Sequence, residues 1–140
     1  MEYFISTDKS KLDLRRIHDY IKNESYWGIE RTKEETQATI DACLCFGIYL
    51  ESGEQIGFAR LVTDHVFFGY LMDFIIFEDY QSMGYGTKLM EFIMNHKTVC
   101  KLKTIGLKTM DAHAMYKKFG FKKIGDSPLW MAVDKQILNT

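Results

Sequence analysis

Proline is almost missing from this chain: Pro128 is the single one in 140 residues. That excludes a proline-rich linker or polyproline spacer. Cysteine is scarce and odd in number, with three in all, at 43, 45 and 100. Cys43 and Cys45 are spaced too closely for a Cys-x-x-Cys site, and no framework spacing is present. All three read as reduced thiols of a cytoplasmic protein. The four histidines are dispersed and include no His-x-x-x-His pair, so no metal site is expected. Excess charge is missing as well. A formal net charge of -1 gives no electrostatic reason to bind nucleic acid. No apolar run is long enough to span a membrane. The opening Met1-Glu2-Tyr3-Phe4 lacks the basic region and long apolar core of a signal peptide.

What is present is core-forming material. Hydrophobic residues make up 46% of the chain, enough to argue against disorder and for one domain over residues 1–140. Glu2 to Ser6 reads as a first strand. Leu14, Ile17, His18 and Ile21 then repeat at helical spacing. Thr32 with Glu35 three residues on forms a capping box, which predicts a second helix to about Ala42. From Leu44 the period changes. Leu44–Leu50, Gln55–Val62 and Gly69–Phe77 read as strands joined by short connections, an antiparallel meander. A helix over about Gly84–His96 buries Leu89, Met90, Ile93 and Met94. Leu102–Lys108 is a further strand. Asp111 is placed to cap a short helix through Phe119, and Gly120 stands where a left-handed residue ends it. Phe121–Ile124 and Leu129–Val133 read as a closing pair of strands.

The most informative stretch is Gln81-Ser82-Met83-Gly84-Tyr85-Gly86-Thr87. It follows the apolar run Tyr70–Phe77 and opens a helix. A strand, a glycine-containing loop and a helix start can make an anion site, because the first helical N–H groups have no partner within the helix. The same two glycines can equally serve only to shape a tight turn. A Walker loop is excluded, since the order here is Gly86-Thr87-Lys88. A Rossmann fingerprint is excluded by Leu89.

Two residues inside this region invite a chemical reading. Asp73 lies in an apolar strand between Met72 and Phe74. An ionised carboxylate there must be paired, protonated or open to a cavity. Desolvation would raise its pKa, as a general base requires; a carboxylate satisfied by neighbouring donors is the structural alternative. Tyr116 lies on the short helix before Gly120, where packing against Ala112 is the bland role.

The pattern Gln-x-x-Gly-x-Gly at Gln81, Gly84 and Gly86, followed by Tyr-x-x-x-Gly-Phe at Tyr116, Gly120 and Phe121, resembles the GNAT superfamily of acyl-CoA-dependent N-acetyltransferases. The order of elements matches along the whole chain, most densely from Asp73 to Phe121. The resemblance implies an α+β fold with a mixed, mostly antiparallel sheet of six to seven strands, flanked by about four helices. It implies acetyl-CoA as co-substrate and transfer of acetyl to a primary amine in a ternary complex. Gln81, Ser82, Met83, Gly84, Tyr85, Gly86 and Thr87 would hold the pyrophosphate. The backbone of Ile75, Ile76 and Phe77 would pair with the pantetheine arm, and a free N–H there would stabilise the oxyanion. Tyr116 would be the general acid that protonates the departing thiolate, with Asp73 as the base, directly or through water. Tyr26, Trp27 and Arg31 would border the acceptor, a small molecule or peptide amine. Many relatives carry Asn near the start of the last helix, where this chain has Asp111 and His113. A non-catalytic acyl-CoA-binding module on the same fold is the rival reading. Homodimerisation is left open.

Overall fold

The computed structural model describes residues 2–25 and 28–135. Five strands form one sheet in sequence order: β1 (Tyr3–Ser6), β2 (Leu44–Leu50), β3 (Gln55–Thr63), β4 (Phe68–Ile76) and β5 (Thr104–Leu107). The first four are antiparallel to their neighbours, and β5 runs parallel to β4. Four α-helices accompany them: α1 (Leu14–Glu24), α2 (Lys33–Ala42), α3 (Tyr85–Asn95) and α4 (His113–Lys117). The α+β architecture with a mixed, mostly antiparallel sheet is as expected. No helix among the described residues is long and apolar enough to cross a membrane.

Local chemistry explains the helix starts. The Asp13 side chain accepts from Arg16 N–H and caps α1. Thr32 and Glu35 form the reciprocal capping box that starts α2, at 3.1 and 2.8 Å. The sheet separates two cores. On one face Phe46, Ile48, Ala59, Leu61 and Leu71 pack with Leu89, Met90 and Ile93 of α3 and Tyr116 of α4. On the other, Cys45, Phe58, Ile75 and Phe77 pack with Ile17, Ile21 and Ile40 of α1 and α2.

Two expectations are corrected. Among the described residues the sheet has five strands rather than six to seven, because Phe121–Ile124 and Leu129–Val133 form none. Leu129, Met131 and Val133 are 86%, 94% and 92% exposed, so their apolar composition does not reflect burial in a sheet. Nor does Asp111 cap α4. Ala112 occupies the cap position, and its N–H is taken by Thr109 Oγ1 at 3.0 Å.

β4 departs from regular pleating. Phe58 and Arg60, two apart on β3, face Ile75 and Met72, three apart on β4. The extra residue is a β-bulge, and Asp73 within it has φ 49°. Side-chain alternation slips by one as a result. Leu71 and Phe74, three residues apart, both contribute to the α3–α4 core. The bulge therefore turns Asp73 and Ile75 toward the α1–α2 side, where Asp73 meets Arg31 and Ile75 joins the second core.

Candidate active site

The pairing of β4 with β5 ends at Leu71 opposite Leu107. Among the described residues, β4 from Met72 to Ile76 is paired on its β3 side only. The direction of each backbone group follows from one hydrogen bond. Phe77 N–H donates to Ile56 O across β3 at 2.9 Å. Alternation then turns Ile75 toward β3 and Ile76 toward the open edge. Ile76 O already accepts from Gln81 Nε2 at 2.8 Å, from that open side. The Ile76 N–H points the same way, as does the Phe74 backbone two residues earlier. Of the three residues expected to offer backbone here, only Ile76 faces the opening. Ile75 pairs with Phe58, while Phe77 uses its N–H on β3 and its O on Tyr80 N–H at 2.9 Å.

Beyond this edge the chain makes a short 3-10 turn, Glu78–Tyr80, and enters the glycine loop. Ser82 and Gly84 both have positive φ, 63° and 88°. Gly84 is the cap residue of α3 and brings no side chain to bond the helix end. The first helical bond is Lys88 N–H to Gly84 O at 3.2 Å. The N–H groups of Tyr85, Gly86 and Thr87 thus have no acceptor within α3, and the helix dipole adds positive potential where they point. A Cβ on Gly86 would lie 3.8 Å from both Ile76 Cγ1 and Phe74 Cε1. Gly86 therefore borders the same strand edge.

The loop residues differ in what they can contribute. Gln81 is committed to Ile76 O and to Tyr20 Oη at 3.0 Å, so it ties the loop to β4 and α1. The Tyr85 ring is buried in the core beside Tyr3 and Tyr80, which leaves only its backbone at the loop. Ser82, Met83 and Thr87 are exposed or half-buried, as a ligand-facing segment requires.

Tyr116 of α4 packs against Phe74 of the same stretch of β4. Its ring is buried, with centroids 6.0 Å from Phe74 and 5.9 Å from Phe121. The Gly-Phe that follows it has a mechanical explanation. Phe121 N–H donates to Tyr116 O and Gly120 N–H to Lys117 O, with Gly120 at φ 93°. This is a Schellman closure, and the Tyr116–Phe121 contact is the hydrophobic pair that accompanies it. The motif holds the phenol in place against β4.

On the α1–α2 side, Asp73 is the centre of a buried ion cluster. Arg31 donates to it from Nη1 at 2.6 Å and from Nη2 at 3.1 Å, and Arg60 Nε donates at 2.7 Å. The Asp73, Arg60 and Arg31 side chains are 1%, 6% and 15% exposed. Burial alone would raise the Asp73 carboxyl. The hydrogen bond from Arg31 and the charge of Arg60 outweigh it and hold the group below its usual 3.8. The expected upward shift is thus reversed: the carboxylate is paired rather than merely desolvated. Arg60, raised in turn by the Asp73 charge against its own burial, also reaches Cys43 Sγ at 3.5 Å. Sequence reasoning missed Arg60, although it stands between Ala59 and Leu61 in an apolar strand just as Asp73 stands in its own. Two opposite charges inside neighbouring strands were the available signal. Phe74 was missed because its direction depends on the bulge.

Arg31 therefore joins Asp73, while Tyr26 and Trp27 lie outside the described residues. Asp64 accepts three N–H bonds from Val66, Phe67 and Phe68 and serves its own turn. No group of three metal-ligating side chains occurs among the described residues. A shallow depression lined by Tyr3, Ile5, Lys88, Glu91, Phe92 and His96 lies between β1 and α3 and contains none of these groups.

A strand edge left unpaired beyond Leu71, an uncapped helix N-terminus after it and Tyr116 packed on Phe74 of that strand are the features the resemblance to acyl-CoA-dependent transferases leads one to expect. The model of the acetyltransferase (GNAT) family matches residues 14–121, and the chain belongs to that family. A solved chain from Xanthomonas campestris pv. campestris, assigned to the same family, is 32% identical; the match covers 95% of this chain and 94% of that one, with a TM-score of 0.86. A relative from Gibberella zeae described as an acetyltransferase is 27% identical over 110 residues; the match covers 66% of this chain and 62% of that relative's length. The ribosomal-protein-S18-alanine N-acetyltransferase of Escherichia coli shares the fold at a TM-score of 0.70 and 19% identity, over 86% of this chain and 77% of that one.

Proposed function

We propose that this protein transfers an acetyl group from acetyl-CoA to a primary amine, in a ternary complex. The observation that carries this reading is the open β4 edge at 72–76, which leads directly to the uncapped N-terminus of α3. Acetyl-CoA supplies an activated acetyl thioester. The N–H groups of Tyr85, Gly86 and Thr87 suit its pyrophosphate, and Gly84 and Gly86 keep side chains out of the way. The Ile76 N–H suits the pantetheine arm as an added strand would be held. The Phe74 N–H, beside the bulge, is the donor best placed for negative charge developing on a carbonyl oxygen. Tyr116, anchored against Phe74, is the general acid. A phenol of reference pKa about 10 is protonated at neutral pH and can donate to a leaving thiolate.

Asp73 takes a positioning role in this reading. A carboxylate held ionised by two guanidinium groups is a weak base for an ammonium group. Its effect is to fix Arg31 and Arg60 beside β4, with Arg31 at the acceptor side.

The test is release of free thiol from acetyl-CoA against a panel of primary amines, with the acetylated product identified by mass. Amine-dependent release with N-acetyl product is expected. Tight CoA binding without turnover on any amine would favour the non-catalytic module instead.

A further inference from the structure

The cluster around Asp73 is unbalanced in charge. Two guanidinium groups share one carboxylate, and both bond the same oxygen, Oδ2, at 2.6 and 2.7 Å. No other carboxylate among the described residues lies within ion-pair distance of either arginine. Glu35 feels the Arg31 charge, but only weakly. It is fully exposed and held by the Thr32 backbone and side chain. Tyr26 and Trp27, the aromatic pair preceding Arg31, are uncharged residue types. A buried excess cation is costly unless a counter-charge completes it.

The arginines are not equivalent. Arg60 is closed in by Asp73 and Cys43. Arg31 follows the turn closed by its own N–H on Gly28 O at 3.0 Å, and its side chain is the most exposed of the three. It commits one bond from each terminal nitrogen to Asp73. The remaining donors of its planar fork have no acceptor among the described residues, and that fork matches a carboxylate or phosphate. Asp73 directly precedes Phe74, so an anion on Arg31 would sit on the α1–α2 side of β4, one residue from the open edge.

We infer that Arg31, held by Asp73 and backed by Arg60, binds an anionic group on the acceptor, so that the preferred acceptors are small amines bearing a carboxylate or phosphate close to the amine. This rests on the acetyltransferase reading above and narrows it. Arg31 is a binding residue here, with Asp73 and Arg60 positioning it.

Matched pairs test it: phenylalanine against phenethylamine, lysine against cadaverine, phosphoethanolamine against ethanolamine. Charge-assisted, two-point hydrogen bonds are the strong ones, so the anion-bearing member of at least one pair should lead by about tenfold or more in kcat/KM. The pair that responds separates carboxylate from phosphate. In Arg31→Gln that lead should collapse, because the anion-bearing member loses far more in kcat/KM than its partner, while CoA affinity stays close to wild type. Arg31→Lys keeps the charge toward Asp73 but loses the fork, and should show a reduced lead if Arg31→Gln melts early. Equal or better use of the members lacking the anion, turnover of neither, or an undiminished lead in folded Arg31 variants overturns the inference. Thiol release with the amines that lack the anion, read beside CoA binding by calorimetry, judges the transferase reading independently.

Discussion

Replacing Asp73 by Asn removes the charge at the centre of the buried cluster while keeping its shape. Three hydrogen bonds, at 2.6, 2.7 and 3.1 Å, lose their ionic component. Arg31 is near enough to the surface to recover solvation. Arg60, with its side chain 6% exposed, is not. Breaking a buried pair from one side costs about 3–5 kcal/mol, because the remaining charge stays behind unpaired. At about 3 °C per kcal/mol for a chain of this size, melting should fall by about 10–15 °C. The pH dependence has a definite sign. The folded pKa lies below the unfolded value, so the stabilisation is complete above that value and fades as pH falls through the folded one. Urea unfolding of both proteins should therefore show a large gap at pH 7 that narrows below about pH 4. Adding Arg60→Met to Asp73→Asn should recover part of the loss, since it removes the stranded cation. A loss under about 1 kcal/mol at pH 7, or strict additivity of the two changes, would refute the reasoning.

Tyr116→Phe keeps the contacts with Phe74 and Phe121 and removes the proton; turnover should fall about 100-fold, with CoA affinity nearly unchanged, and full turnover with chemistry rate-limiting would shift the general acid elsewhere. Gly57→Ala places a Cβ 2.7 Å from Ile75 O, a backbone atom beside the bulge that cannot turn aside. It should cost about 1–3 kcal/mol by denaturant unfolding and weaken CoA binding through displacement of β4. His96 is held below its ordinary pKa, first by burial and then by Lys97, and its Nδ1 accepts from Thr98 N–H at 3.1 Å. Its folded pKa being depressed, stability should decline as pH falls below 6.5. His96→Gln should flatten that part of a melting-temperature profile; an unchanged slope would count against it.

Much of the fold was legible because its signals are local. The Thr32–Glu35 box, the β2 limits and the left-handed Gly120 each depend on neighbours within a few residues. The closing strands were misread for the opposite reason. Leu129–Val133 has strand composition, but a strand forms only where its backbone is brought into register with a neighbour, which composition does not encode. The bulge was invisible for a related reason: it exists only as a mismatch in register between β3 and β4. It sets which backbone groups face the unpaired edge, so the proposed backbone donors are those of Ile76 and Phe74 rather than the run Ile75–Phe77. Asp73 was correctly singled out as a carboxylate needing partners. The direction of its pKa depended on how many cations were near, and Arg60 reaches it from another strand.

The central claim is that the β4 edge and the α3 N-terminus together bind CoA. Gly86→Glu tests it most directly. The backbone at Gly86 does not need glycine's left-handed freedom, and its new Cβ would meet Ile76 and Phe74 at ordinary contact distance, so the fold should survive. The added carboxylate would stand among the N–H groups proposed for the pyrophosphate. Titration calorimetry with CoA should show one site per chain in the wild type and none in the variant; equal affinity in both, or no binding to wild type, would contradict the account.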